Sequence, residues 1–236
     1  MKKIIFFQIV FSILFGHDPE TESINWKKYY RIGGVQSKLF DFGLTGYGRI
    51  KRTTLTTFKD LRFYANAYNK KTEIRIRYKS SRRLIKFNDF YSFSTIVYEK
   101  NTSQNMNLRY HYSQGVGWFL QNKDNRNMTI EVGPAFDNSD YLNSEVKTSY
   151  LKSGYSIDFL IRSFKSKFEL DYFYQISNNI KNQSRSRIQT LGEIEFSVTK
   201  FSGITLGFIQ DYKNKKIINN SFWVTASISK PLKWQF

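Results

Sequence analysis

Apolar and polar residues alternate one by one along most of this chain, most regularly near its end. Phe222, Val224, Ala226 and Ile228 take every second place, with Trp223, Thr225, Ser227 and Ser229 between them. The apolar parity then passes Lys230 and reaches Leu232, Trp234 and Phe236. Ile204, Leu206 and Phe208 follow the same rule, as do Phe168, Leu170, Tyr172 and Tyr174 around Glu169, Asp171 and Phe173. So do Met128, Ile130 and Val132 around Thr129 and Glu131, and Ile74, Ile76 and Tyr78 around Arg75 and Arg77. A period of two belongs to strands, whose successive side chains leave on opposite faces. Helix-period runs are hard to find. The pattern predicts strands over 38–50, 53–68, 72–86, 90–99, 106–121, 128–137, 146–161, 167–176, 187–199, 204–212 and 222–236.

Alternation alone fits a soluble sandwich as well as a membrane barrel, because both bury one face of each strand. Three further features favour the barrel. "KFND", "RSFKSK" and "TKFSG" read as tight turns, whereas "EKNTSQN", "NSDYLNSE", "NNIKNQSRS" and "KNKKIINN" read as longer loops. Short turns at one rim and longer loops at the other mark an outer-membrane barrel. Aromatics gather toward strand ends, as in Tyr172, Phe173 and Tyr174 and in Trp234 and Phe236, which suits interfacial girdles. The last strand ends on Phe236 with alternate apolar residues behind it, and a barrel in lipid needs a complete closing strand so that no backbone group is left unsatisfied. The expected fold is therefore all-β, a single antiparallel transmembrane β-barrel. Bacterial barrels have even strand counts. Eleven clear runs thus imply about twelve strands, the missing one within 26–36, with ten as the fallback if neighbouring runs merge.

The N-terminus changes where such a barrel would sit. "MKKIIFFQIVFSILFG" has two lysines, an apolar run from Ile4 to Phe15 and then Gly16, the layout of a secretory signal peptide over 1–16. The run is too short to span a bilayer as a helix. The expected division is a signal peptide at 1–16, an N-terminal segment at 17–37 that takes in the first strand if 26–36 pairs, and the barrel at 38–236. The expected location is the bacterial outer membrane.

Charge and composition narrow the chemistry. The 236 residues hold 37 Lys and Arg against 19 Asp and Glu, a formal charge of +18. That balance points to a polyanionic partner. Export argues against nucleic acid, as do basic residues scattered through turns (Lys70 and Lys71, Arg82 and Arg83, Lys213 to Lys216). Lipopolysaccharide and anionic outer-membrane lipid fit better, with the barrel-assembly machinery as a partner during insertion. There is no cysteine and there are only two histidines, so no thiolate or His-rich metal site is expected, and no cofactor.

"LRYHYSQGVGWFL" followed by "MTIEVGPAF" carries a resemblance. The first stretch ends in a Gly-x-Gly-aromatic step (Gly115, Gly117, Trp118) and the second holds Glu-x-Gly-Pro (Glu131, Gly133, Pro134). The pair resembles the YdiY-like, salt-induced outer-membrane protein family, and more loosely the likeness runs from about Lys38 to the terminal Phe236. It implies an outer-membrane barrel with a link to salt stress and no catalytic residues to carry over. The strongly basic charge and the irregular first strand depart from the family pattern.

One stretch invites an enzyme reading. His111 and Ser113 stand at the His-x-Ser spacing of outer-membrane lipid acyl hydrolases, with Asn125 where a third, orienting residue could lie. Parity opposes it: Met106, Leu108, Tyr110, Tyr112, Val116, Trp118 and Leu120 face lipid, so His111 and Ser113 face the lumen, away from acyl chains. The expected catalytic set is none. By the same parity Arg75, Arg77, Arg109 and His111 face inward, opposed by Glu131, Asp158, Glu169, Asp171, Glu193, Glu195 and Asp211. Those charges either plug a narrow barrel or set a transverse field across a small pore; no residue identifies a solute. The expected role is non-enzymatic, in envelope structure or limited permeability. If Phe236 completes the closing strand, Phe236→Asp should lower the membrane yield of folded protein more than Lys230→Asp does. Equal yields by heat-modifiable gel migration would refute that role.

Overall fold

Each strand pairs antiparallel with its neighbour in the chain, and the first pairs with the last, so that no edge remains. The computed structural model describes residues 24–37, 40–69, 71–102, 105–123, 125–141, 144–176, 185–213 and 216–232. The twelve strands are β1 (Asn25–Ser37), β2 (Phe40–Thr53), β3 (Thr57–Tyr68), β4 (Lys71–Leu84), β5 (Phe87–Asn101), β6 (Met106–Lys123), β7 (Arg126–Tyr141), β8 (Ser144–Ile161), β9 (Phe164–Gln175), β10 (Arg187–Ser197), β11 (Ser202–Lys213) and β12 (Lys216–Leu232). The strand sought within 26–36 is β1, so the count is the even twelve. The signal-peptide segment 1–16 and Phe236 lie outside the described residues.

The two faces of the wall are inverted relative to a soluble sandwich. Outward places hold exposed apolar residues such as Ile32, Leu44, Phe63, Val132, Leu206 and Val224, whereas the buried places hold Arg62, Asp60, Glu99, Arg109, Glu131 and Lys152. Apolar residues outside and charges inside make sense only where the surroundings are hydrocarbon. Aromatic pairs mark the strand ends. Phe90 stacks on Trp118 (5.9 Å) and Phe164 meets Phe196 edge-on (5.3 Å) at one end, and Tyr98 meets Tyr110 (5.7 Å) at the other.

One rim carries the start of β1, the end of β12 and the connections 54–56, 85–86, 124–125, 162–163 and 198–201; it is called the terminal rim below. The opposite rim carries the ends of β1, β3, β5, β7, β9 and β11 and the starts of the strands that follow each of them. The expected long loops do fall on one rim, but two of the four are not long. "NSDYLNSE" and "KNKKIINN" are mostly strand, with two residues between β7 and β8 and two between β11 and β12. Asn, Ser and Lys there are polar because these strands run past the apolar belt, not because the chain has left the sheet.

The β6–β7 seam explains the glycines of the quoted motif. Ser113 pairs with Ala135 and Val116 with Val132 in one register, while the two places between, Gln114–Gly115 and Gly133–Pro134, form no ladder pair. A Cβ on Gly133 would lie 1.9 Å from the Gln114 carbonyl oxygen, and one on Gly115 would lie 2.1 Å from that of Val132. The strands pinch together there, and Pro134 has no N–H to donate. Gly133→Val should therefore destabilise the barrel by roughly 1–3 kcal/mol through overpacking against backbone. Gly46→Val, whose Cβ meets nothing within 4 Å, should be tolerated. Urea unfolding of the refolded variants, followed by gel migration of unheated samples, separates the two outcomes.

Candidate functional site: the charged lumen

Every strand turns alternate side chains inward, and in a barrel of twelve strands those side chains reach one another. Glu131 on β7 gathers three partners. It accepts a hydrogen bond from Tyr91 Oη (2.9 Å), pairs with Lys79 Nζ, and lies 3.8 Å from Lys152 Nζ. Tyr91 can reach it because the facing residue of β6 is Gly117, where a Cβ would fall 2.2 Å from the tyrosine ring. The Gly-x-Gly-aromatic and Glu-x-Gly-Pro steps thus converge: one supplies the space, the other the carboxylate.

Other pairs span the whole lumen. Arg62 on β3 reaches Glu169 on β9 (3.5 Å), and Arg75 on β4 donates to Gln189 on β10 (3.0 Å). In each case the two strands lie six apart in the ring of twelve, on opposite walls. Arg77 adds a contact to Glu169 (3.3 Å), as does Lys167 (2.6 Å). Asp60 takes both Arg49 (2.6 Å) and Arg62 (2.6 Å). Arg31 on β1 meets Glu193 on β10 (2.5 Å) with its guanidinium 4.2 Å from the Tyr47 ring. Lys152 also pairs with Asp171 (3.0 Å), and Gln189 donates to Asp211 (2.7 Å). A buried charge is tolerated only when paired, and these charges are paired, some with the same or a neighbouring strand and some across the bore.

The layer divides the lumen into unequal parts. Toward the terminal rim lies a cavity of about 680 Å³, reaching the turn residues Thr54, Leu55 and Asn125 and floored by Arg77, Glu131 and Glu169. Among Arg75, Arg77, Glu169 and Asp171 lie two small voids of about 20 Å³ each, roughly one water-sized sphere. Toward the opposite rim, Val35, Tyr68 and Trp223 form one buried apolar cluster, and Ala135, Tyr150 and Phe173 form another.

The residues expected inward do face inward, and most find partners. Among the described residues, Asp158 and Asp211 are the expected acids without an ion pair, and Asp211 accepts a hydrogen bond from Gln189 instead. Parity missed Arg31, Arg62, Lys79, Glu99, Lys152 and Arg187, although applying it to every strand would have exposed them. The basic residues read as scattered through turns are a correction: Arg83 lies in β4 and lines the chamber, together with Arg49, Lys51, Lys79 and Lys167. Turn-like composition hid a lumenal stripe.

The His111–Ser113 stretch lies on the lumenal side, with Ser113 wholly buried. His111 Nδ1 pairs with Asp137 Oδ1, and Arg187 holds the second oxygen of Asp137 at 3.2 Å. Asn125 sits in the β6–β7 turn and is not the partner of His111. Ser113 Oγ makes no hydrogen bond, so the imidazole does not hold it as a base holds a nucleophile. The stretch is one stave of the wall.

A model of the protein family described as "Protein of unknown function, DUF481" matches residues 40–217. Among solved structures, the NanC porin aligns with a TM-score of 0.51 at 11% identity, over 87% of this chain and 99% of that one. An outer membrane channel from Pseudomonas putida F1 aligns with a TM-score of 0.51 at 9% identity, over 92% and 100%. The KdgM porin aligns with a TM-score of 0.50 at 9% identity, over 86% and 98%. At these identities the likeness is one of fold. A search of curated proteins finds no match.

Removing Glu131 leaves Lys79 and Lys152 facing each other in a buried layer. Glu131→Ala should cost about 3–5 kcal/mol, the range for breaking a buried pair from one side. Ser113→Ala removes a hydroxyl that bonds to nothing, and should leave stability unchanged or slightly raised. Urea midpoints of the two refolded variants against wild type check both; equal midpoints would remove Glu131 from the centre of the layer.

Proposed function

The chain belongs to the family "Protein of unknown function, DUF481", the YdiY-like family, and on that premise we propose that it is a non-enzymatic outer-membrane barrel acting as a narrow, normally closed channel. The observation that carries this reading is the set of contacts between opposite walls, Arg62 to Glu169 and Arg75 to Gln189, which fill the bore with charged side chains. A wide porin keeps a water-filled lumen; this lumen is filled at mid-height and open at one end. The terminal rim, with its short turns, faces the periplasm in this reading, and the rim where β9 ends and β10 begins faces outward. Exposed lysines near the outward rim, such as Lys100, meet lipopolysaccharide phosphates, and those near the terminal rim, such as Lys59 and Lys230, meet phospholipid phosphates. Insertion passes through the barrel-assembly machinery after removal of the 1–16 signal peptide.

The link to salt stress takes a physical form here. Pairs bordering the chamber are reached by dissolved ions, and salt screens charges at such places. Raised ionic strength then loosens the layer and widens the bore. A purely structural role, in which the lumen never opens, finds support in the two apolar clusters beyond the layer.

Planar-bilayer recording of the refolded protein tests this. Wild type should show small unitary conductance that rises with salt more steeply than bulk conductivity, and Arg75→Ala/Arg77→Ala should raise it severalfold. Large conductance in wild type would overturn the closed reading. A double variant as silent as wild type would favour the structural role.

A further inference from the structure

The terminal-rim chamber has a charge surplus that the lumen itself does not neutralise. Its lining holds eleven Lys and Arg against six Asp and Glu. The carboxylates at its floor are engaged: Glu131, Glu169, Asp171, Glu193 and Glu195 all lie in ion pairs. Lys27, Lys51, Arg83, Lys123 and Arg126 have no carboxylate within ion-pair distance among the described residues. Three of these cations are steadied on aromatic rings. Arg126 lies 4.5 Å from the Phe159 ring centre, Lys51 lies 5.2 Å from that of Phe58, and Arg83 lies 5.3 Å from that of Phe119. Aromatic faces hold the cations in place without consuming their hydrogen-bond donors.

We propose that this chamber is a binding site for a small polyvalent oxyanion, a solute carrying phosphate or carboxylate groups, held by Lys51, Arg83 and Arg126. Guanidinium and ammonium donors grip such oxygens through charge-assisted hydrogen bonds. The volume of about 680 Å³ falls within the range of small-molecule sites. Low-dielectric walls focus the surplus field, drawing anions in from the rim. Asp158, the lone unpaired carboxylate of the lining, opposes the ligand. The site goes beyond the channel reading, since it needs only the open chamber and not an open bore.

Calorimetric titration of the refolded full chain in neutral detergent tests the site, with inorganic pyrophosphate and citrate as probes and spermidine as the charge-reversed control. Wild type should bind one oxyanion per barrel, more weakly as sodium chloride is added, and should not bind spermidine. Lys51→Gln/Arg83→Gln/Arg126→Gln should weaken pyrophosphate by roughly tenfold or more, while still migrating as a folded barrel when unheated. Asp158→Asn should bind it more tightly, which guards against loss of fold as the explanation. Equal affinity in wild type and triple variant, or binding spread over many equivalents, would overturn the proposal. Repeating the titration in nanodiscs identifies the source. Affinity lost in phosphatidylglycerol but kept in phosphatidylcholine assigns the chamber to a lipid headgroup, and affinity kept in both assigns it to a free solute. No current is measured, so a barrel silent in bilayers would leave this result standing.

Discussion

Glu169 and Glu131 are held by cations that come mostly from elsewhere in the ring, and the shape of the lumen follows from that. A twelve-strand wall in hydrocarbon must point its charged parity inward, where it is removed from bulk water. Each such charge then needs an opposite charge within reach. Asp60, Glu131 and Glu169 each take two or three cations. Arg62 and Arg77 are long enough to span the bore, so opposite walls are tied together at mid-height. A wider barrel would leave these pairs apart and hydrated. The narrow bore and the charged layer therefore require one another.

The glycines of the quoted motif can be understood within that constraint without appeal to flexibility. Gly117 lets the Tyr91 ring lie flat against β6 so that its hydroxyl reaches Glu131. Gly115 and Gly133 let β6 and β7 close on each other two residues further along. Trp118 points the other way, half exposed on the lipid face, and stacks on Phe90. One short stretch thus brings β6 and β7 together, makes room for the tyrosine that reaches Glu131 and supplies an interfacial aromatic. The same packing leaves His111 paired with Asp137 and Ser113 Oγ without a hydrogen bond, so the two side chains are not coupled to each other.

How much of this was legible beforehand follows from what a period of two can report. Parity states which face a side chain leaves from, so the inward positions of Arg75, Arg109, Glu131 and Asp211 were readable directly. It carries no information on which inward residue meets which, because Arg62 and Glu169 are far apart in the chain and meet only through the closed cross-section. Strand β1 was hard to read because Lys27, Lys28 and the Gly33–Gly34 pair interrupt its apolar parity. Yet Arg31 within it is the partner of Glu193. Loop lengths were misjudged at 142–143 and 214–215 for a related reason: strand residues beyond the lipid belt lose their apolar half and look like loop.

The net charge of +18 also changes meaning once its place is known. On a soluble surface such a surplus would advertise itself over the whole protein. Here much of the basic set is turned inward, and within the layer it is largely cancelled by the acids it meets. The uncancelled part is concentrated where the layer gives way to open cavity, among Lys51, Arg83 and Arg126, while toward the other rim the lumen holds two buried apolar clusters. The lumen is thus polar at one end, ion-paired in the middle and partly apolar at the other. An anion entering from the terminal rim gains attraction as far as the floor of the chamber and then meets carboxylates already engaged. Such a gradient favours capture over passage, and passage would require the floor pairs to part first.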